Sequence, residues 1–171
     1  MRLATFLTTT LVASAAAFAV QAAPLGPVAD INISIGPKLQ DQADVYGQRD
    51  LDYLVADLRK SVETALARTG ALSPDGGTLD LVIEDATPNR PTMRQMSVKP
   101  GLSYESFGIG GAQIGGVLTT VDGQKIPVGY RWYETDIRWS TAAGTWMDAQ
   151  NTFDRFSRRL AKGEALAERQ D

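Results

Sequence analysis

Val121-Asp122-Gly123-Gln124 separates two runs of different character, and the fold follows from reading them together. Before it stands Gly-Ile-Gly-Gly-Ala-Gln-Ile-Gly-Gly-Val-Leu-Thr-Thr (108–120). After it stands Ile-Pro-Val-Gly-Tyr-Arg-Trp-Tyr-Glu-Thr-Asp-Ile-Arg-Trp (126–139). Asp-Gly supplies the positive φ angles of a tight hairpin turn. The second run is rich in aromatic and β-branched residues, as strands are. The stretch 101–139 is therefore expected to form a long β-hairpin. Ile126, Val128, Tyr130 and Trp132 share one face of its last strand, but Ile137 and Trp139 fall on the other. That change of phase predicts a bulge or bend near Tyr133-Glu134.

Upstream, Leu79, Leu81 and Ile83 alternate with Asp80 and Glu84, which predicts a strand with Val82 on its wet side. Thr87 to Pro100 carries three prolines and reads as an extended loop or edge segment. Leu51, Leu54, Val55, Leu58, Val62, Ala65 and Leu66 recur at helical spacing, with Asp50 placed to cap the start and Gly70 the end. Lys38 to Arg49 has no periodicity. Ala29, Ile31, Ile33 and Ile35 alternate with Asp30, Asn32 and Ser34, a strand with one dry face. Downstream, Thr145 and Asp148 are spaced to cap a last helix whose stripe is Trp146, Ala149, Phe153, Phe156 and Leu160, ending near Gly163. The order is β-α-β-β-β-α. An α+β fold is expected, with a mostly antiparallel four-stranded sheet and both helices packed on one face.

Arg2 followed by the apolar run Leu3–Val20 and the small-residue site Val20-Gln21-Ala22 reads as a secretory signal peptide over 1–22. Residues 23–171 then form one domain that begins with a loose leader, 23–28. The chain has no cysteine, so no lipid can be attached through one and no disulfide can form. A periplasmic or secreted location follows, with no integral membrane segment in the mature chain. Loss of Arg2 with the signal moves the formal charge from −3 to −4, against a nucleic-acid role.

The glycine run Gly108 to Gly116, the turn Asp122-Gly123 and the closing Phe153-Asp154-Arg155-Phe156 together resemble the layout of several domain families of unknown function. These occur among bacterial envelope proteins and lipoproteins. The resemblance implies an envelope location and no known activity, and this chain departs from the lipoprotein members in lacking the anchoring cysteine.

Absent residue types exclude much chemistry. With neither histidine nor cysteine, Ser-His-Asp catalysis, thiol catalysis, iron–sulfur clusters and ordinary zinc sites are impossible, and no cofactor is expected. The glycines do not form a phosphate loop: Gly111 and Gly116 have the outer spacing, but Val117-Leu118 stands where Lys and Ser/Thr belong. Gln113 replaces the third glycine of a dinucleotide fingerprint. The expected role of these glycines is close approach of a helix.

Carboxylates remain as the acid–base resource. Glu134 and Asp136 lie two apart on the expected strand, about 7 Å from each other on one face, which suits an inverting glycosidase or half a calcium site. Arg131 and Arg138 flank them, so both acids are expected to be ionised at pH 7. Arg90 and Arg94, in the proline-containing loop, are candidates for an anion site. Arg155, Arg158, Arg159 and Lys162 form a cationic stripe on the last helix, and Tyr53 stands opposite the first helix's apolar stripe. The sequence reads as a non-catalytic binding or accessory module of the envelope, its partner an unidentified protein or envelope component. The alternatives are a carboxylate-dependent glycan hydrolase and a self-associating structural protein.

Overall fold

The structure, a computed structural model, describes residues 26–140 and 144–164. The expected signal peptide, 1–22, lies outside the described residues, as do 23–25 of the leader. Strand β1 (Val28–Ile35) leads through two short helices, α1 (Pro37–Gln40) and α2 (Ala43–Tyr46), into the long helix α3 (Gln48–Thr69). Strand β2 (Gly77–Thr87), a one-and-a-half-turn helix α4 (Met93–Val98), strands β3 (Gly111–Thr119) and β4 (Lys125–Tyr133), a 3-10 turn (Ile137–Trp139) and helix α5 (Met147–Ala161) follow. The sheet order is β1-β2-β3-β4. It is mixed: β1 pairs parallel to β2, as a strand–helix–strand connection requires, and the other two pairings are antiparallel.

Both long helices lie on one face because each has one apolar stripe to bury. Leu51, Leu54, Leu58, Val62 and Leu66 of α3 meet Phe153, Phe156 and Leu160 of α5 over the inward residues Leu79, Leu81, Ile83, Ile114 and Leu118. Full burial of each such side chain is worth roughly 1.5–3 kcal/mol, an upper bound because the unfolded chain is partly collapsed. Gly70 (φ +69°) ends α3 in the left-handed conformation expected of it. Among the described residues, no helix is long and apolar enough to cross a membrane.

Several local expectations give way to other solutions. The hairpin is shorter than 101–139, and its strands close through Thr120–Gln124, with Gly123 (φ +83°) as the residue of positive φ and Asp122 on the ordinary side. The β4 ladder is regular to Tyr133 and then ends, so no bulge forms at Tyr133-Glu134. Ile137 and Trp139 are out of phase because they belong to a 3-10 turn in which the Asp136 carboxylate accepts from the Arg138 N–H. The bulge sits in β2 instead, where Glu84 is inserted between the pairs Ile83–Ile114 and Asp85–Gln113. It turns Ala86, two residues past the alternation, into the core.

Val28 is buried at the start of β1 rather than part of a loose leader. The proline-rich segment contains α4, started by a capping box in which the Thr92 hydroxyl accepts from the Gln95 N–H and the Gln95 side chain accepts from the Thr92 N–H. Asp50 lies inside the first turn of α3 and accepts from Trp146 Nε1 at 2.8 Å, leaving Gly47 as the cap residue. Trp146, not Thr145, precedes α5, with no side-chain cap. The glycines of β3 face neighbouring strands and Glu84, not a helix: a Cβ on Gly115 would meet Glu84 Oε1 at 2.3 Å, and one on Gly116 the Asp80 carbonyl at 2.3 Å.

Candidate functional site

Four loops converge at the end of the sheet where β2 and β4 finish, and one buried amide holds them. The Asn89 N–H donates to the Thr145 carbonyl at 2.7 Å, and the Asn89 carbonyl accepts from Gly108 N–H at 2.8 Å. Its side chain donates to Asp148 Oδ2 at 2.5 Å and accepts from the Asp148 N–H at 2.8 Å. Asp148 Oδ2 also accepts from the Gly110 N–H at 3.0 Å, and the Ser140 hydroxyl donates to the Gly108 carbonyl at 2.6 Å. Asn89 and Asp148 are each 1% exposed. A polar pair that far from water persists when its donors and acceptors are matched, as here. Gly110 has to be glycine, since a Cβ would stand 2.7 Å from both Asn89 Oδ1 and the Thr87 carbonyl.

On this clasp the loops carry apolar side chains into solvent. Phe107 and Ile109 flank the clasped Gly108, Ile137 and Trp139 precede the clasped Ser140, and Tyr104 lies under the Arg90 guanidinium, 4.9 Å from the ring centroid. All five are exposed, Trp139 by 73%. Exposed groups of this size gathered at one end are typical of contact surfaces.

Three of the four residues singled out in the sequence come to this end. Arg90 donates to the Tyr104 carbonyl while stacking on its ring. The Glu134 N–H donates to the Gly110 carbonyl, and its carboxylate folds back to accept from the Thr135 and Asp136 N–H groups at 2.8 and 3.1 Å. Asp136 is chelated by Arg138 at 2.5–3.0 Å, and this pairing, followed by the Arg138 N–H, holds its carboxyl below the usual aspartate range. Arg94 stands apart, donating to the Asp44 carbonyl at 3.2 Å. It lines a cleft of about 630 Å³ with Arg49, Asp50, Tyr53, Met93 and Trp146. Tyr53 accepts there from Gln150 at 2.7 Å.

A second carboxylate pair, Glu84 and Asp85, lines a hollow of about 410 Å³ beside the start of α1, together with Val82, Gln113 and Gly115. The bulge makes this possible by taking the two neighbours out of strict alternation. Lys38 binds Asp85 at 2.8 Å and Gln113 donates to Glu84. Beside Asp85, burial and then that carboxylate push the Tyr133 phenol well up, and Tyr46 is raised by the same two causes.

The fold and the clasped end thus define an α+β domain presenting an apolar loop rim. No family model matches the chain, and no curated protein matches it. Among solved structures, a minor lipoprotein from Acinetobacter baumannii is similar over 77% of this chain and 88% of its own, at 12% identity and a TM-score of 0.32.

Proposed function

We propose that this chain is an exported, non-catalytic binding or accessory module of the bacterial envelope, and that its contact surface is the apolar rim of Tyr104, Phe107, Ile109, Ile137 and Trp139. The supporting observation is the construction of that rim. Large apolar side chains stand in water on loops fixed by a buried, hydrogen-bonded clasp, an arrangement in which a partner pays little ordering entropy. The signal-like N-terminal sequence and the lack of histidine and cysteine agree with the reading. A photoreactive residue at position 139, crosslinked in intact cells, should capture a discrete partner, and Phe107→Asp at the rim should abolish the capture. Unchanged capture in that variant refutes the rim as the surface. A product of twice the chain's own mass would make the partner a second copy.

A second reading, a carboxylate-dependent glycan hydrolase, is favoured by the Glu84–Asp85 hollow. It requires one acid to stay protonated near neutrality. Hydrolysis of cell-wall glycan by the purified protein, lost in Glu84→Gln, would establish it; equal rates in both proteins exclude these residues.

A further inference from the structure

Helices α3 and α5 run alongside each other in the same direction, since Tyr53 meets Gln150 and Ser61 meets Asp154. Between their outer sides lies a groove of about 570 Å³, large enough for a small organic ligand. Its charges are sorted along its length. Asp57 and Lys60 line the part nearer the helix starts, and Asp154 lies at its middle, one turn before Arg158 on α5, where it already accepts from the Ser61 hydroxyl. Burial raises the Asp57 carboxyl; a hydrogen bond from Gln150 partly offsets this, with smaller opposing effects from Asp154 and Lys60. Arg68, Arg158 and Lys162 line the other end, and no carboxylate lines it with them. Among the described residues none of these three cations forms an ion pair.

The cationic stripe of α5 is thereby divided in two. Arg155 and Arg159 turn to the sheet and stack on Trp132 and Tyr130, at 4.1 and 5.3 Å from the ring centroids. Arg158 and Lys162 turn to the groove. Cations near helix C-termini offset the dipole, which accounts for their sign. It does not account for Ser157, also in the groove lining. Its hydroxyl is 2% exposed and has no hydrogen-bond partner, although a helical serine can ordinarily use the carbonyl one turn back. A buried hydroxyl without a partner costs roughly 1–3 kcal/mol.

The geometry points to a binding site for a phosphate group on a small organic ligand at the Arg68–Arg158–Lys162 end of this groove, with Ser157 as a hydroxyl donor. Two guanidinium forks and an ammonium suit a tetrahedral dianion, and the groove is too large for a bare ion. The apolar side chains of Ala65 and Ala161 would lie along the ligand's organic part. The phosphate source is either a soluble phosphate ester or a phospholipid headgroup.

Glycerol 3-phosphate titrated into isotopically labelled protein should move amide signals of 64–69 and 157–162 saturably. Arg68→Ala with Arg158→Ala should weaken binding by about tenfold or more. The paired control is Arg155→Ala with Arg159→Ala, which removes the same charge from the sheet side and should leave affinity within about twofold. Co-sedimentation with phosphatidylglycerol vesicles, lost in the groove variant alone, would identify a headgroup as the source; soluble-ester binding without sedimentation identifies a free ester. Equal losses in the two double variants, or no saturable response to either probe, overturn the proposal.

Discussion

Asp136 and Asp148 lie at the same end of the fold in opposite circumstances. Asp136 is partly in water and gripped by a charged partner, Arg138, at 2.5–3.0 Å. Asp148 is out of water and touched by neutral donors, the Asn89 amide and the Gly110 N–H. Charge and sequence spacing make the first look important. Energetics favour the second, because an exposed pair gains little in high dielectric, whereas a buried acceptor leaves its donors stranded when removed. Here the acid with no charged partner organises the site, and the acid with one serves a local turn.

The largest effect should come from Asp148→Ala. It strips an acceptor from two buried N–H groups, at roughly 1–3 kcal/mol each. The loss, about 2–5 kcal/mol in urea denaturation, should rival that of Leu58→Ala, a fully buried apolar deletion expected to cost about 2–5 kcal/mol. A loss below about 0.5 kcal/mol at Asp148 would break the contrast at its root. Gly110→Ala comes next. Its Cβ would press on Asn89 Oδ1 and the Thr87 carbonyl, and displacing them should cost about 1–3 kcal/mol. Gly108→Ala, with open space around the site, should cost distinctly less; equal losses would mean that the clasp is not what excludes a side chain at 110.

Thr92→Ala should cost about 1 kcal/mol by removing one half of the α4 capping box, read as a lowered urea midpoint. Because Thr92 lies beyond the clasp, its loss should add to that of Asp148→Ala within about 0.5 kcal/mol in the double variant. Strong non-additivity would show that α4 and the clasp unfold as one unit.

The elements legible in the sequence are those that burial writes locally. The stripes of α3 and α5 and the alternation in β1 and β2 each repeat within a few residues, and Asp122-Gly123 marks its own turn. The clasp has no such signature: Asn89 and Asp148 are 59 positions apart and each looks like an ordinary loop or cap residue. Asp148 was readable as a capping partner for Thr145, and tertiary contact with Asn89 claimed it instead. The bulge at Glu84 was hidden because one inserted residue shifts the phase only as far as Ala86. The Thr92–Gln95 capping box was present in the sequence but overshadowed by Pro88, Pro91 and Pro100. Arg90, Glu134 and Asp136 could each be singled out by residue type; that they lie at one loop end depends on which strands pair, which no local pattern states.

The smallest effect should be at Asp136 itself, and its sign can be worked out. Pairing with Arg138 lowers its folded-state pKa below the ordinary aspartate value, about 4. The pair therefore adds stability above that ordinary value, and the contribution is lost as pH falls through the depressed folded value. Asp136→Asn should leave the thermal midpoint at pH 7 and physiological salt unchanged within error, because the pair is largely open to water on its arginine side and screened. At low salt a small deficit should open at neutral pH and close on acidification through and below the ordinary aspartate range. Carboxylate NMR of the folded protein should show Asp136 titrating below the ordinary range. A deficit that widens in acid would contradict the sign. A titration at position 136 above about pH 6 would mean an acid held protonated against its arginine, and would move catalysis ahead of binding as the reading of this end of the fold.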